Sequence, residues 1–176
     1  LDDNPGALWH LSDIDRLRVK ETPLIARVVV AIDPSVKEDG TGDEAGIVVA
    51  GIGYDGEFYV LDDLSLAASP NGWAKQAVEK GYQAHCADRV VAEINNGGAL
   101  VESVLRTIDP NIPYEGIHAS RGKRTRAEPI AALYEQGRVH HVGTFAKLED
   151  EMCQWDPLLS NERPKRVDAP VWAQTQ

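Results

Sequence analysis

Several scarcities narrow the possibilities before any motif is considered. Cysteine is one: Cys86 and Cys153 are the two in 176 residues, far apart and without CxxC or CxxxxC spacing. That argues against a disulfide framework and a zinc ribbon, and for reduced thiols in a reducing compartment. No apolar run approaches the roughly 20 residues that span a bilayer. The opening Leu1-Asp2-Asp3-Asn4 has neither a basic region nor a hydrophobic one, so a soluble, intracellular protein is expected. Cations are also in deficit, 18 Lys and Arg against 28 Asp and Glu, for a net charge of −10. Wholesale coating by nucleic acid is thereby disfavoured, although a local basic surface is not. The same balance suits a chain that gathers carboxylates around divalent cations. GxSxG does not occur, and there is no internal repeat. The nearest approach to a phosphate loop, Gly116 to Gly122-Lys123, has five intervening residues where the pattern needs four. Arg124 also stands where Ser or Thr must ligate magnesium.

What is present centres on Arg27-Val28-Val29-Val30-Ala31-Ile32-Asp33-Pro34, a β-branched apolar run that ends on a carboxylate. Pro34 biases Asp33 toward extended backbone, so the run reads as a buried strand with Asp33 at its C-terminal tip, where open α/β sheets place ligands. Two further strands, Gly46–Ile52 and Glu57–Leu61, are joined through Asp55-Gly56, a hairpin signal, and complete an antiparallel meander. Ser69-Pro70 opens a helix with Trp73, Ala77, Val78 and Tyr82 on one stripe. A strand over Arg89–Ile94 follows and leads into Asn95-Asn96-Gly97-Gly98 and a helix to about Ile108. Next come a short strand Tyr114–His118, a basic loop Arg121–Arg126, and a helix capped by Thr125 with Glu128 and stopped by Gly137. A strand over Arg138–Val142, a helix Phe145–Trp155, a loop and a terminal helix Val167–Ala173 close the order. The fold class is α/β, a mixed sheet with a three-strand meander and parallel strands flanked by helices. Trp9, Leu11, Ile14 and Leu17 recur at near-helical spacing in a lead-in arm that packs either on this domain or on a neighbour.

Asp33 and Glu93 each sit near a strand end, in the settings IDPS and AEINNGG. Helical crossovers force parallel neighbours, so if these two strands pair, both acids share one edge. Paired strands lie about 4.8 Å apart, a separation at which two carboxylates can share metal ions. Oxygen-only ligands favour magnesium or manganese over zinc. Asp168, early in the terminal helix, is the preferred third acid, while Asp39, Asp43 or Glu44 could serve instead. Arg121, Lys123, Arg124 and Arg126 are four cations in six residues, suited to the phosphate backbone rather than to base edges. His140 and His141 are adjacent on a strand and so face opposite ways, which excludes a shared metal.

In this order VVVAIDPS, DEAGIVVAG, DRVVAEINNGG, RGKRTRAEPIAALYEQGRVHHVG, LEDEMCQW and RVDAPVWA resemble the nuclease domain of the large terminase subunit of tailed double-stranded DNA bacteriophages or prophages. The resemblance spans about residues 24 to 174. It implies an RNase H-like fold and an endonuclease that cuts double-stranded DNA with little sequence specificity, using two ions of Mg2+ or Mn2+. Asp33, Glu93 and Asp168 would be the catalytic metal ligands, and Asp43 matches an acidic position in the loop after the first strand. Residues 1–23 correspond to the segment joining an N-terminal packaging ATPase to the nuclease, which would occupy 24–176; no Walker motif occurs here, so an isolated domain is expected. The implied partners are double-stranded DNA, that ATPase, the portal and the small terminase subunit, with no membrane, in the host cell cytoplasm. Pro170 and Gln174 depart from the family's apolar pattern and predict a shortened or late-starting final helix. Two other readings compete with the nuclease: a catalytically inactive docking or DNA-holding module of the packaging motor, and an actin-like nucleotide-binding domain. Pro34 and the lack of a second lobe argue against the last.

Overall fold

The β-branched run after Arg27 becomes β1 (Ile25–Asp33), the central strand of the molecule. In the computed structural model, which describes residues 4–34, 44–94, 98–118, 122–159 and 166, β1 lies between two partners. On one side it pairs antiparallel with β2 (Glu44–Gly53), and on the other it pairs parallel with β5 (Arg89–Glu93). β3 (Phe58–Asp63) continues the meander beside β2, and Gly56 takes the positive φ that the Asp55-Gly56 turn needs. A two-residue β4 (Leu66–Ala67) returns onto the start of β2. β6 (Tyr114–Ile117) pairs parallel with β5, and β7 (Val139–His141) parallel with β3. The described strands form a seven-stranded mixed sheet in the order β6-β5-β1-β2-β3-β7, with β4 beside β2.

Alternation along β1 divides the core in two. Val28, Val30 and Ile32 face a layer made by α2 (Pro70–Lys75), its π-helical continuation Gln76–Gln83, and α3 (Gly98–Ile108). The cap is the expected one, with Ser69 Oγ accepting from the Gly72 amide and proline in the first turn, but the helix changes pitch after Lys75. Val29 and Ala31 face the other layer, built from α4 (Lys123–Glu135) and α5 (Ala146–Gln154). α1 (Leu11–Leu17) completes that layer, with Trp9 and Ile14 in its core. The lead-in arm thus packs on this domain.

Two local expectations need correction. The stretch expected as a basic loop is, from Lys123 onward, the first turn of α4, entered from an extended Gly122 with no side-chain cap. The capping box expected of Thr125 and Glu128 is not what opens the helix; Glu128 instead accepts from Arg124 Nε at 2.7 Å, one turn away, which offsets the crowding of cations there. Gly137, at positive φ, ends the helix as expected. The predicted terminal helix, Val167–Ala173, lies outside the described residues. Neither Cys86, which is exposed, nor the buried Cys153 forms a disulfide. Among the described residues no helix is long and apolar enough to cross a membrane.

Candidate metal centre at the carboxyl edge

The parallel register of β1 with β5 pairs Ile32 with Ala92, so the next residues, Asp33 and Glu93, end neighbouring strands at one edge. Both follow the alternation of Val29, Ala31 and Val91, which places them on the face covered by α4 and α5. Glu93 is 6% exposed and Asp33 is intermediate. Behind them, β6 and α3 close on Ile94: a Cβ on Gly98 or Gly116 would lie 2.7 or 2.5 Å from the Ile94 side chain, so glycine permits the approach.

The edge carries more acid than these two. Antiparallel pairing of β1 with β2 sets Asp33 opposite Gly46, so Glu44, two residues earlier, extends past the tip of β1 on the same face. Asp63 ends β3 opposite Val48, again on that face. Read across the sheet, Glu93, Asp33, Glu44 and Asp63 make a row of carboxylates from four adjacent strands. Each end of the row meets an arginine. Arg126, from the first turn of α4, donates to Glu93 Oε2 at 3.5 Å and is largely buried. Arg166 donates to Asp63 at 3.2 Å, to Glu151 of α5 at 2.7 Å, and through both terminal nitrogens to Glu44.

Of the residues picked out by sequence, Asp33 and Glu93 are brought together. Arg124 is exposed and paired with Glu128, whereas Arg126 turns inward to Glu93. Glu44, weighed as a metal ligand, is held by Arg166. Asp39, Asp43, Arg121 and Asp168 lie outside the described residues, as does the Lys123 side chain. Among the described residues no set of three or more His, Cys, Asp or Glu converges at metal-binding spacing, so Asp33 and Glu93 are the described part of the candidate centre.

Sequence reasoning missed the Arg166 cluster because its partners come from three elements far apart in the chain. It also missed a buried network on the α4–α5 face. His141, fully buried, lies with Nε2 2.8 Å from the Tyr134 hydroxyl and Nδ1 2.9 Å from Glu149 Oε1. Arg18 of the lead-in arm donates to both oxygens of Glu149, at 2.6 and 3.1 Å. Burial pushes the Glu149 carboxyl up, but the bonds from His141, Arg18 and the Phe145 amide outweigh it and bring the group down to about 2. Burial pushes the His141 imidazole down, against the pull of Glu149. We therefore assign a neutral ring that donates from Nδ1 to the carboxylate and accepts from Tyr134 at Nε2. His140 faces the other way, as its neighbouring strand position requires: it stacks on Tyr59 and donates from Nδ1 to the Leu17 carbonyl.

A mixed sheet with an antiparallel meander, parallel outer strands, helices on both faces and paired acids at the central strand tips is the architecture of RNase H-like nucleases. Within that class the chain belongs to the terminase RNase H-like domain family, whose profile matches residues 30–176. Among solved structures it is similar to the large terminase nuclease from the thermophilic phage G20c, with 15% identity, 97% of this chain and 98% of that one covered, and a TM-score of 0.69. That phage nuclease has also been solved with bound magnesium, zinc and cobalt. The large terminase of the bacteriophage HK97 matches at 12% identity and TM-score 0.68 over 95% of this chain, and the match covers 43% of that protein. RuvC of Thermus thermophilus is a more remote likeness, with 16% identity, 84% of this chain and 92% of that one covered, and a TM-score of 0.51. Among curated proteins no sequence match is found.

Proposed function

We propose that this chain is the metal-dependent endonuclease domain of a viral DNA-packaging terminase, cutting double-stranded DNA with little sequence specificity. The observation that carries the reading is the placement of Asp33 and Glu93 on adjacent parallel strand tips, on one face of one edge. Two carboxylates held that close repel unless a cation or a proton lies between them, and an all-oxygen set fits Mg2+ or Mn2+. Asp33 on the central strand would bridge, Glu93 would bind from its neighbour, and Asp168, with Asp43 as a further candidate, would complete the set. When bound, divalent ions would supply water activation and stabilisation of the leaving oxygen. The chain's own contribution is to hold these oxygens fixed on rigid strand ends and to steer the phosphate backbone. Lys123 and Arg124 are the first residues of α4, two and three positions after Arg121 in the sequence, and the helix's first amides also favour an anion. Arg126 sits between that surface and Glu93.

The packaging ATPase in the same full-length chain, the portal and the small terminase subunit are the partners this reading entails, in the host cell cytoplasm. A plasmid-nicking assay in manganese tests it. Asp33→Ala and Glu93→Ala should each reduce cutting at least a hundredfold, and undiminished activity in either variant would sink the idea. One observation favours a second reading, an inactive docking or DNA-holding module: the Arg126 guanidinium stands 3.5 Å from Glu93, where a cation would otherwise serve. Calorimetric uptake of Mn2+ separates the two, since the inactive module takes up none.

A further inference from the structure

Only 5% of the Glu93 side chain is exposed, and a carboxylate so placed needs a positive partner or a proton. The fold sets Arg126 beside it, with 12% of that side chain exposed. The two arginines of the acid row differ in grip. Arg166 bonds Glu151 at 2.7 Å and Asp63 at 3.2 Å and meets Glu44 through both terminal nitrogens. Arg126 reaches Glu93 at 3.5 Å, the outer limit of a hydrogen bond and well beyond the roughly 2.7–2.9 Å of a charge-assisted one. A divalent ion on Glu93 brings two positive charges beside the guanidinium, so the two cations compete for that carboxylate. The helix under Arg126 is fixed, since Ala127, Ile130 and Tyr134 of α4 are buried in the core; displacing the guanidinium moves the side chain and not the backbone. Arg124, about 200° round the same turn, is 52% exposed, so an Arg126 turned outward joins a surface that already presents a cation. Phosphate is the anion that a released guanidinium takes well, through two parallel bonds.

We propose that Arg126 is a displaceable counter-ion that couples metal to DNA: it holds Glu93 until a divalent ion takes that carboxylate, and then turns to a phosphate of the duplex. The inference rests on the metal-dependent reading above. On this assignment the Arg126–Glu93 contact belongs to the chain before metal binds and does not conflict with an active nuclease. By linkage, metal and duplex each strengthen the other's binding by the same factor.

The test measures Mn2+ uptake by calorimetry and folding by circular dichroism for the wild-type chain, Arg126→Gln and Asp33→Ala. Duplex affinity is read by fluorescence anisotropy with and without Mn2+, on a phosphorothioate duplex that keeps the backbone charge and resists cutting. Arg126→Gln, which keeps a donor for Glu93 and removes the competing charge, should take up Mn2+ about tenfold more tightly. A residue that merely supports Glu93 predicts the opposite sign, weaker uptake. Mn2+ should tighten duplex binding about tenfold in the wild-type chain and about threefold or less in Arg126→Gln. Equal or weaker Mn2+ uptake in Arg126→Gln, or a wild-type effect of Mn2+ on its duplex binding, overturns the proposal. A second measurement needs no variant: phenylglyoxal labelling of the wild-type chain, located by peptide mass spectrometry. Mn2+ should raise labelling of Arg126 severalfold while leaving Arg18 unchanged, and added duplex should lower it again. No rise with Mn2+ overturns the proposal even if Arg126→Gln does not fold. Uptake that depends on Asp33 and is the same with and without Arg126 overturns this inference alone, whereas a wild-type chain that takes up no manganese overturns the functional reading with it.

Discussion

His141 shows how much a single buried ring can determine. Its folded-state affinity for a proton is lowered by burial, so as pH falls through the ordinary imidazole value of about 6.5 the unfolded chain binds more protons than the folded one, and stability drops. Glu149 acts in the same direction at lower pH: its stabilisation is full above its ordinary 4.5 and is lost as pH falls toward about 2. The denaturation midpoint should therefore fall between pH 7 and pH 5. His141→Asn, which keeps a donor for Glu149 but does not titrate, should lower stability by about 1–3 kcal/mol at pH 7 and flatten that slope. An unchanged slope in denaturant melts at several pH values would assign the acid sensitivity to other groups. Asp33 and Glu93 were legible at this scale because a local cue marks each: Pro34 after an apolar run, and Asn95-Asn96-Gly97 after another. The Arg18–Glu149 and Arg166–Glu44 contacts were not legible, since each joins residues more than a hundred positions apart, and the His141 contacts, though only seven and eight residues long, cross from one element to another with no periodic signal.

Among the elements, strands were easier to read than helices. β1, β2, β3, β5, β6 and β7 follow from β-branched runs and turn residues, while the two-residue β4 has no periodicity to detect. Thr125 and Glu128 have capping-box spacing, yet α4 starts at Lys123, and Arg126 in its first turn lies 3.5 Å from Glu93. For α1 the apolar spacing was visible and its destination was not. The structure gives that destination: Trp9, 2% exposed, stacks on Trp155 at 5.9 Å and meets the edge of Tyr134 at 6.4 Å. Trp9→Ala should cost about 3–5 kcal/mol in urea unfolding. Leu24→Ala, at a residue 81% exposed in the same lead-in region, should stay within about 0.5 kcal/mol. Equal effects would mean that the arm contributes no core.

Over the whole molecule, a net charge of −10 coexists with a basic helix start beside an acidic sheet edge. Under the proposed function, DNA approaching such a surface would be held by few cations against general repulsion, and its affinity should depend steeply on those few. Neutralising Arg121, Lys123 and Arg124 together should weaken duplex binding and reduce the salt slope by about one unit for each phosphate that no longer meets a cation. A slope that does not change, measured by fluorescence anisotropy across a salt series, would mean that these residues only solvate the helix start.

The packing of the lead-in arm also sets where a pull would be felt. Asn4 bonds to the Cys153 and Gln154 carbonyls at the end of α5, Arg18 is locked to Glu149, and Val19 bridges to Val142 beside β7, all before the chain enters β1 at Ile25. Tension applied at residue 4 therefore loads α5 and the far edge of the sheet first. It reaches the central strand only after those attachments have yielded in turn. The arm's attachments therefore stand between residue 4 and β1, and Asp33 lies at the end of β1 opposite the one where the arm enters it.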